Sequence, residues 1–254
     1  MNSLTARSGW NWIVTGLGLF RKRPFFLTNL FFAYLISLVL LSLIPVIGQI
    51  LPVLMAPVFT LLFMQACYTI DIDQQSSFRD LFSVLNRTVM FRLIMAGACY
   101  LLFALLATGL AFLVDGGSLF VLISQGAKEE FTSSQLGRMF LALGLVFIVY
   151  VPFAMAMWFA APLIGWKDMS LGKALFYSFF SIVRAYKPFL VYVICWIGLG
   201  FLLPYAVGGV LGMAFGQSVA TFVIFILSIM LSVWMYCSFY PTYRDIFERP
   251  DSSQ

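Results

Sequence analysis

The stretch Trp166-Lys167-Asp168-Met169 leads through an apolar segment to Arg184-Ala185-Tyr186-Lys187-Pro188-Phe189, and this stretch decides the fold. Its beginning and its end are both repeated elsewhere in the chain. Between them, large apolar residues are interleaved with Lys173, Tyr177 and serines. A helix of this kind lies in the plane of a membrane interface with its apolar face at the acyl boundary. The stretch therefore predicts a surface helix that joins two membrane hairpins.

Six apolar segments of spanning length account for most of the chain. Hydrophobic residues make up 62% of the sequence and charged residues 10%, against about 25% charged residues in soluble domains. A spanning helix needs about 20 apolar residues. The segments are 24–44, 51–70, 89–114, 137–164, 188–213 and 217–240. We expect an all-α polytopic integral membrane protein with six transmembrane helices, the first acting as a signal anchor, because nothing before Arg21 resembles a cleaved signal.

An aromatic-basic-Asp-aliphatic motif follows each even-numbered span. It reads Phe78-Arg79-Asp80-Leu81, Trp166-Lys167-Asp168-Met169 and Tyr243-Arg244-Asp245-Ile246. We expect the Asp to accept from free amide groups at the start of a surface helix. The chain is predicted to be a single transmembrane domain of three hairpin repeats, about 9–70, 76–164 and 166–240, followed by a short tail, 241–254. A shorter interfacial helix is expected before the first span, with Trp10, Trp12, Ile13, Leu17 and Phe20 on its apolar face.

Basic residues precede each odd-numbered span and are the candidate site residues. They are Arg21, Lys22, Arg23, Arg87, Arg92, Arg184 and Lys187. One interpretation is a ring of lipid-headgroup contacts around the mouth of the bundle. The plainer one is that Arg92, a few residues inside the third span, snorkels to the headgroups, and that the others only reflect topology.

Lysine and arginine are distributed unevenly between the two sides of the predicted bundle. Thirteen of them lie on the side of the two termini, namely Arg7, Arg21, Lys22, Arg23, Arg79, Arg87, Arg92, Lys167, Lys173, Arg184, Lys187, Arg244 and Arg249. Only Lys128 and Arg138 lie on the other side. The positive-inside rule predicts cytoplasmic termini. The net charge of +5 then points to anionic lipid at the inner leaflet as partner, and not to nucleic acid.

The inventory of reactive groups gives no catalytic, cofactor or metal residues to nominate. There is no histidine, which removes Ser-His-Asp and Cys-His systems and His-based zinc sites. Every acidic residue is expected outside a span, so an intramembrane carboxylate is missing. Asp71 and Asp73, with Asp80, come nearest to a magnesium site, but a solvated connection is the plainer interpretation. The four cysteines fit packing residues that stay reduced.

Helix-breaking residues cluster in the first and third hairpins. They are Pro45, Gly48, Pro52 and Pro57, and Pro204, Gly208, Gly209, Gly212 and Gly216. Broken spans at matching positions can mark a transport site, where Gln49, Gln65 and Gln217 would be the polar groups. The glycine spacing equally allows close helix packing, and packing is the favoured interpretation.

Six groups of residues carry a resemblance to a known family. They are Gly9-Trp10-Asn11-Trp12, Leu19 to Pro24, Leu43 to Gly48, Met64-Gln65-Ala66-Cys67 with Leu81-Phe82, Phe159 to Ile164 with Asp168, and Ala174 to Ser178. Over nearly its whole length the chain resembles an uncharacterised family of six-span inner-membrane proteins of Gram-negative bacteria. More distantly it is similar to YciC-like proteins and to the membrane domain of some glycerophosphodiester phosphodiesterases. The resemblance implies location and architecture, and no phosphodiesterase catalytic domain is present.

The sequence thus predicts a non-enzymatic, multi-pass inner-membrane protein without cofactors, which acts in membrane or envelope homeostasis through lipid contact or a partner protein. A small transporter or channel that uses the broken hairpins is the alternative. A membrane-embedded enzyme acting on lipid phosphates is third.

Overall fold

The structure is a computed structural model that describes residues 4–45, 47–74, 81–125 and 132–249. All regular secondary structure in these ranges is helical, which confirms the predicted class. The helices are α1 (Ala6–Lys22), α2 (Pro24–Ser42), α3 (Leu51–Asp71), α4 (Arg87–Asp115), α5 (Ser118–Gln125), α6 (Ser133–Trp158), α7 (Ala160–Lys167), α8 (Leu171–Arg184), α9 (Tyr186–Ile197), α10 (Leu203–Phe215) and α11 (Gln217–Phe247). A 3-10 turn (Phe82–Val84) precedes α4, and a π-helical turn (Gly198–Leu202) joins α9 to α10.

Six helical units are long and apolar enough to cross a membrane, as predicted. They are α2, α3, α4, α6 continued by α7, α9 continued by α10, and α11. The largest difference from the predicted ends is in the sixth span, because α11 continues through Pro241 to Phe247. Residues expected to begin a tail are therefore part of a helix.

Helix α3 lies at the centre of the bundle. In its most hydrophobic window 67% of the residues are buried, whereas the other five spans have 6–17%. Every residue from Leu61 to Ile70 is buried. Helix α4 packs along α3, and α2, α7 and α11 contact it from other directions. Because α3 is surrounded by protein, it can carry polar side chains such as Gln65, which accepts a hydrogen bond of 2.7 Å from the indole N–H of Trp166.

Burial is concentrated at one end of the bundle, which we call the border end. Here the odd-numbered spans begin and the even-numbered spans end, so the two ends of the described chain lie there as well. Towards the opposite, far end, buried residues are few in the described part of the chain. They are Gly48, Asp115, Gly117, Met139, Ala142 and Ala220. The three hairpins therefore pack on one another at the border end and expose most of their surface beyond the midpoint.

Two spans depart from regular α-helix next to a proline. The fourth span is interrupted at Phe159 (φ −106°, ψ 5°), because Pro162 has no N–H for the carbonyl of Trp158 and its ring crowds that carbonyl. The fifth span widens into the π-helical turn just before Pro204, a common way to absorb a missing donor. The first hairpin, where breakers also cluster, behaves differently, because α3 runs through Pro57 without interruption.

The connection after α4 contains a capped helix where the sequence suggested an ordinary turn. Asp115, which was expected outside the span, ends α4 and is 2% exposed. Its carboxylate accepts from the N–H groups of Gly117 (2.8 Å) and Leu119 (2.7 Å) and so caps α5. Gly116 (φ +67°) lets the chain reverse without a Cβ clash. The predicted charged loop at 128–130 lies outside the described residues.

The contact between α3 and α4 depends on the absence of a side chain at Gly97. A Cβ atom there would overlap the carbonyl oxygen of Leu54 on α3. Gly109, farther along the same helix, has open space around the corresponding position. Gly97 and Gly109 therefore provide a test position and a matched control on the same helix.

We expect Gly97→Ala to lower the free energy of unfolding by about 1–3 kcal/mol, because the added methyl group forces α3 and α4 apart. Gly109→Ala should be neutral or raise stability by roughly 0.5–1 kcal/mol, since alanine favours the helix. Thermal unfolding of the purified protein in detergent measures both. Equal shifts for the two variants would contradict the close contact.

Candidate functional site

A charged cluster at the border end joins the second span to the sixth. Asp71 ends α3, and its carboxylate lies 3.3 Å from Nη1 of Arg244 and 3.2 Å from Nη2 of Arg249. The hydroxyl of Tyr240 donates to the same carboxylate over 3.1 Å. The Asp71 side chain is only 12% exposed. A carboxylate this far from water needs such partners, because an unpaired buried charge is costly.

Asp73 forms an ion pair with a residue of a different helix, α1. Nζ of Lys22, at the end of α1, lies 2.8 Å from its carboxylate, and both side chains are open to solvent. The hydrogen bond and the charge of Lys22 hold the pKa of Asp73 below its ordinary value. Asp71 and Asp73 therefore face separate helices, and each is neutralised by basic partners. Asp80, the third residue of the suggested magnesium set, lies outside the described residues.

Two of the repeated motifs use their Asp to hold another helix. The carboxylate of Asp168 accepts from Nη1 of Arg92 at 2.5 Å, and its carbonyl accepts from the same nitrogen at 2.9 Å. The carboxylate of Asp245 accepts from the indole N–H of Trp12 at 2.9 Å. The expectation that Asp168 caps a surface helix is wrong. It occupies the left-handed position (φ +47°) that ends α7, and Ser170 takes the N-cap of α8.

The seven basic residues that were predicted to contact lipid headgroups have three kinds of surroundings. Lys22 and Arg92 are ion-paired, so neither is simply extended towards the headgroups. Nζ of Lys187 lies 5.9 Å from the centre of the Tyr186 ring. The remaining four have no carboxylate within ion-pair distance in the described ranges, and they are Arg21, Arg23, Arg87 and Arg184. These guanidinium groups leave uncompensated positive charge where the odd-numbered spans begin.

Helix α8 has three distinct faces. Its buried face, Ala174, Ser178 and Ile182, packs against α6 and α7. The exposed residues form an apolar strip of Phe176, Phe180 and Val183 and a polar strip of Lys173, Tyr177 and Arg184. A side chain can thus meet protein, hydrocarbon or water depending on its position around the helix.

Helix α1 also has a buried face and exposed strips, but the apolar face that the sequence predicted for it is only partly exposed. Trp12, Ile13 and Phe20 are buried within the protein, while Trp10 remains exposed. The burial is possible because a Cβ at Gly16 would lie 2.6 Å from Cα of Ser238, so α11 approaches α1 closely. Helix α1 has 17 residues and α8 has 14, so α1 is not the shorter of the two.

Ser178 inserts its hydroxyl group into the interrupted fourth span. The backbone N–H of Phe159 donates to Oγ of Ser178 at 3.0 Å, and the hydroxyl donates to the carbonyl of Met155 at 2.7 Å. These are the two backbone groups that would bond each other in a continuous helix. The side chain is completely buried. Ser178 therefore satisfies the broken backbone and couples α8 to the junction of α6 and α7.

Sequence reasoning missed Ser178 and the hydrogen bond of 2.6 Å between the hydroxyl groups of Tyr192 and Ser238. Ser178 was assigned to the polar residues interleaved along the surface helix. The available signal was its spacing of four from Ala174 and Ile182, which places a hydroxyl in the middle of a small apolar face. The Tyr192 bond has no local signal, because its partner is 46 residues away.

Two cavities flank α3 near its midpoint, and Thr60 lines both. The first, about 180 Å³, lies between α2, α3 and α11, with the Leu81-Phe82 segment on its border side. The second, about 230 Å³, lies between α3, α4, α6 and α11. Neither cavity has a charged lining residue. The linings are aromatic and aliphatic, with a few hydroxyl groups.

Two glycines of the third hairpin, Gly208 and Gly212, lie close to another helix, whereas Gly209 and Gly216 have open space. A Cβ at Gly208 would lie 2.6 Å from Cδ1 of Ile224, and one at Gly212 would lie 3.3 Å from Oε1 of Gln217. Both contacts are made with α11. Neither Pro52 nor Pro204 lines the two cavities, whereas Pro57, at which α3 is not interrupted, lines the second.

We expect Asp71→Asn to lower the free energy of unfolding by about 2 kcal/mol, because charge-assisted hydrogen bonds from two arginines and a tyrosine lose their acceptor charge. Asp73→Asn should leave stability almost unchanged, since its pair with Lys22 is exposed. Thermal unfolding in detergent compares the two variants. Comparable destabilisation by both would argue against a special role for Asp71.

We expect Ser178→Ala to destabilise the protein by about 1–3 kcal/mol, because it removes the partner of two buried backbone groups. Ser181→Ala on the same helix is the control, as that side chain is only half-buried and bonds neither group. Hydrogen exchange at Phe159 provides a second measurement and should become faster in the first variant alone. Unchanged exchange at Phe159 would refute the inserted hydroxyl.

The described fold can be compared with known proteins. No protein-family model matches the chain, and no solved structure matches it. A protein of Burkholderia thailandensis, described as a probable inner membrane protein, is 32% identical over 249 residues, which cover 96% of this chain and 92% of that protein. Its description names no enzymatic activity. With six apolar helices and this similarity across nearly its entire length, the chain belongs to the same family of multi-pass inner membrane proteins as the Burkholderia protein.

Proposed function

We propose that this protein is a non-enzymatic inner-membrane protein that binds anionic lipid headgroups at its border end and acts in membrane or envelope homeostasis. The observation that carries the proposal is the set of four guanidinium groups without a described carboxylate partner, at Arg21, Arg23, Arg87 and Arg184. Phosphate groups are natural partners for guanidinium groups, which bind them with two parallel hydrogen bonds. Lys187 adds a fifth positive charge beside Arg184.

The proposal places the border end and both termini in the cytoplasm. Thirteen of the fifteen lysines and arginines belong to that side of the chain, and the cytoplasmic side is where such residues accumulate. The inner leaflet also holds anionic lipid, which attracts basic segments by about 1 kcal/mol per residue. Orientation and proposed ligand are therefore consistent.

We further propose that α1 and α8 are equivalent interfacial helices of a repeated unit. Each has one buried face, one exposed apolar strip and one exposed polar strip, and each leads into an odd-numbered span. The apolar strip would rest at the acyl boundary and the polar strip in water. The similarity to YciC-like proteins and to the membrane domain of some phosphodiesterases stays a prediction from the sequence motifs.

The two other predicted functions receive less support. The transport hypothesis relied on the broken hairpins, with Gln49, Gln65 and Gln217 as the polar groups. None of these glutamines lines the two cavities described, and of the helix breakers only Pro57 does. The lipid-phosphate enzyme relied on Asp71 and Asp73 with Asp80, and the first two are committed to different basic partners. Lipid binding uses the groups that the described structure leaves available.

The experiment is mass spectrometry of lipids that remain bound after purification in mild detergent. We expect the protein to retain phosphatidylglycerol above its share of the bulk membrane. Replacement of Arg21, Arg23, Arg87 and Arg184 by Gln should abolish the enrichment, because the phosphate loses its partners. Lys22 and Arg92 are left intact, since they form ion pairs. Arg138→Gln, on α6 at the far end, is the control and should retain the lipid.

A bulk-like lipid profile in the unmodified protein would refute the proposal. So would equal enrichment in the four-residue variant and in Arg138→Gln. Unfolding temperatures of all variants, measured in the same detergent, separate loss of lipid from loss of fold.

A further inference from the structure

The cavity between α2, α3 and α11 lies alongside the first span. On α2 it is lined from Leu30 to Ser37, a length of roughly 10 Å at 1.5 Å per residue. On the border side its lining includes Phe82, which is 56% exposed. The lining thus runs along part of the first span and includes an exposed residue on the border side.

The chemistry of the lining fits hydrocarbon. Aromatic rings form its wall: Tyr34 lies 4.7 Å from Phe59 and 6.3 Å from Tyr236, measured between ring centroids. The polar groups are hydroxyls, and that of Thr60 is already bonded to the carbonyl of Ala56 at 3.0 Å. No charged residue lines the cavity. Such a lining suits an alkyl chain, which gains dispersion contacts and needs no hydrogen bonds.

The distance to the basic border fits a phospholipid. Arg23 immediately precedes α2 and is seven residues before Leu30, so the two positions are roughly 10 Å apart along the helix. Arg87 begins α4 five residues after Phe82, which lines the cavity. A glycerophospholipid whose phosphate binds these arginines would place its acyl chain at the mouth of the cavity.

We infer that the cavity between α2, α3 and α11, which at about 180 Å³ is smaller than a full acyl chain, holds a segment of one acyl chain of an anionic glycerophospholipid whose headgroup binds at Arg21, Arg23 and Arg87. The inference rests on the proposed function and makes it specific. It distinguishes a single seated lipid from a diffuse layer of anionic lipid around the border end. The ligand is bound by its chain as well as by its charge.

The test uses the full chain reconstituted in vesicles with phosphatidylglycerol that carries a photoreactive diazirine in one acyl chain. Peptides from 24–42 and 51–71, which supply most of the lining, should be labelled most strongly after illumination. Ala33→Phe, which fills the cavity from α2, should reduce this labelling roughly tenfold through lost dispersion contacts. Ala56→Phe fills it from α3 and covers the case in which one variant fails to fold. Ala104→Phe, at an exposed position of α4 that lines neither cavity, should have no effect.

Three results would overturn the inference. They are labelling spread evenly over the exposed helices, labelling unchanged by both filling variants, and cross-links that show α2 covered by a second copy of the chain.

The arginine variants distinguish failure of this inference from failure of the proposed function. If the arginine variant loses the phosphatidylglycerol enrichment but the unmodified protein shows no cavity labelling, headgroup binding is supported and the seated chain is refuted. Cavity labelling by phosphatidylglycerol and phosphatidylethanolamine alike would refute the anionic headgroup.

Discussion

The packing of α3 against its neighbours is the contact on which the other features of this fold depend. In hydrocarbon there is little hydrophobic drive for helices to associate, so van der Waals contact and hydrogen bonds must hold a bundle together. The continuous burial of 61–70 supplies that contact. It requires that α4 come close, which Gly97 permits, and that the end of α3 be neutralised, which Arg244 and Arg249 accomplish.

The interrupted fourth span shows how a membrane protein tolerates a broken backbone. A carbonyl or N–H group without a partner in the bilayer costs several kcal/mol. Pro162 lies next to the interruption of the fourth span, and a single hydroxyl group from α8 bonds the N–H of Phe159 and the carbonyl of Met155 there. The surface helix is therefore a structural component of the spanning bundle. Its outer strips remain free to meet the membrane while its inner face completes another helix.

Features governed by composition and by local residue type were predictable. Hydropathy and length gave six helices with ends close to those observed, and proline and glycine marked the places where helices change. Properties that arise from distant partners were not predictable. Arg92 could be recognised as an unusual charge, but its bond to Asp168 requires a contact across 76 residues. Trp12 was assigned to a lipid-facing strip because an amphipathic pattern does not reveal whether protein or lipid covers the apolar face.

In the candidate site too, local features were predictable from the sequence and contacts between distant residues were not. The basic residues were found because they lie next to span boundaries, but only the fold separates Lys22 and Arg92, which are ion-paired, from the arginines without a described carboxylate. The cavity along α2 has no signature in the sequence, since aromatic residues are common in spanning helices and pack equally well against each other. Its existence follows from the arrangement of the first hairpin, α2 and α3, against α11, which is distant in the chain.

The unequal packing of the two ends has a consequence for the surrounding bilayer. Hairpins that are closely packed at the border end and largely exposed beyond the midpoint give the protein different cross-sections in the two leaflets. Lipids in the leaflet at the far end meet the exposed faces of the spans, whereas those in the other leaflet meet a more closely packed surface that the cavity along α2 interrupts. The cross-section of the protein therefore differs between its two ends, and the lateral pressure of each leaflet acts on a different exposed surface.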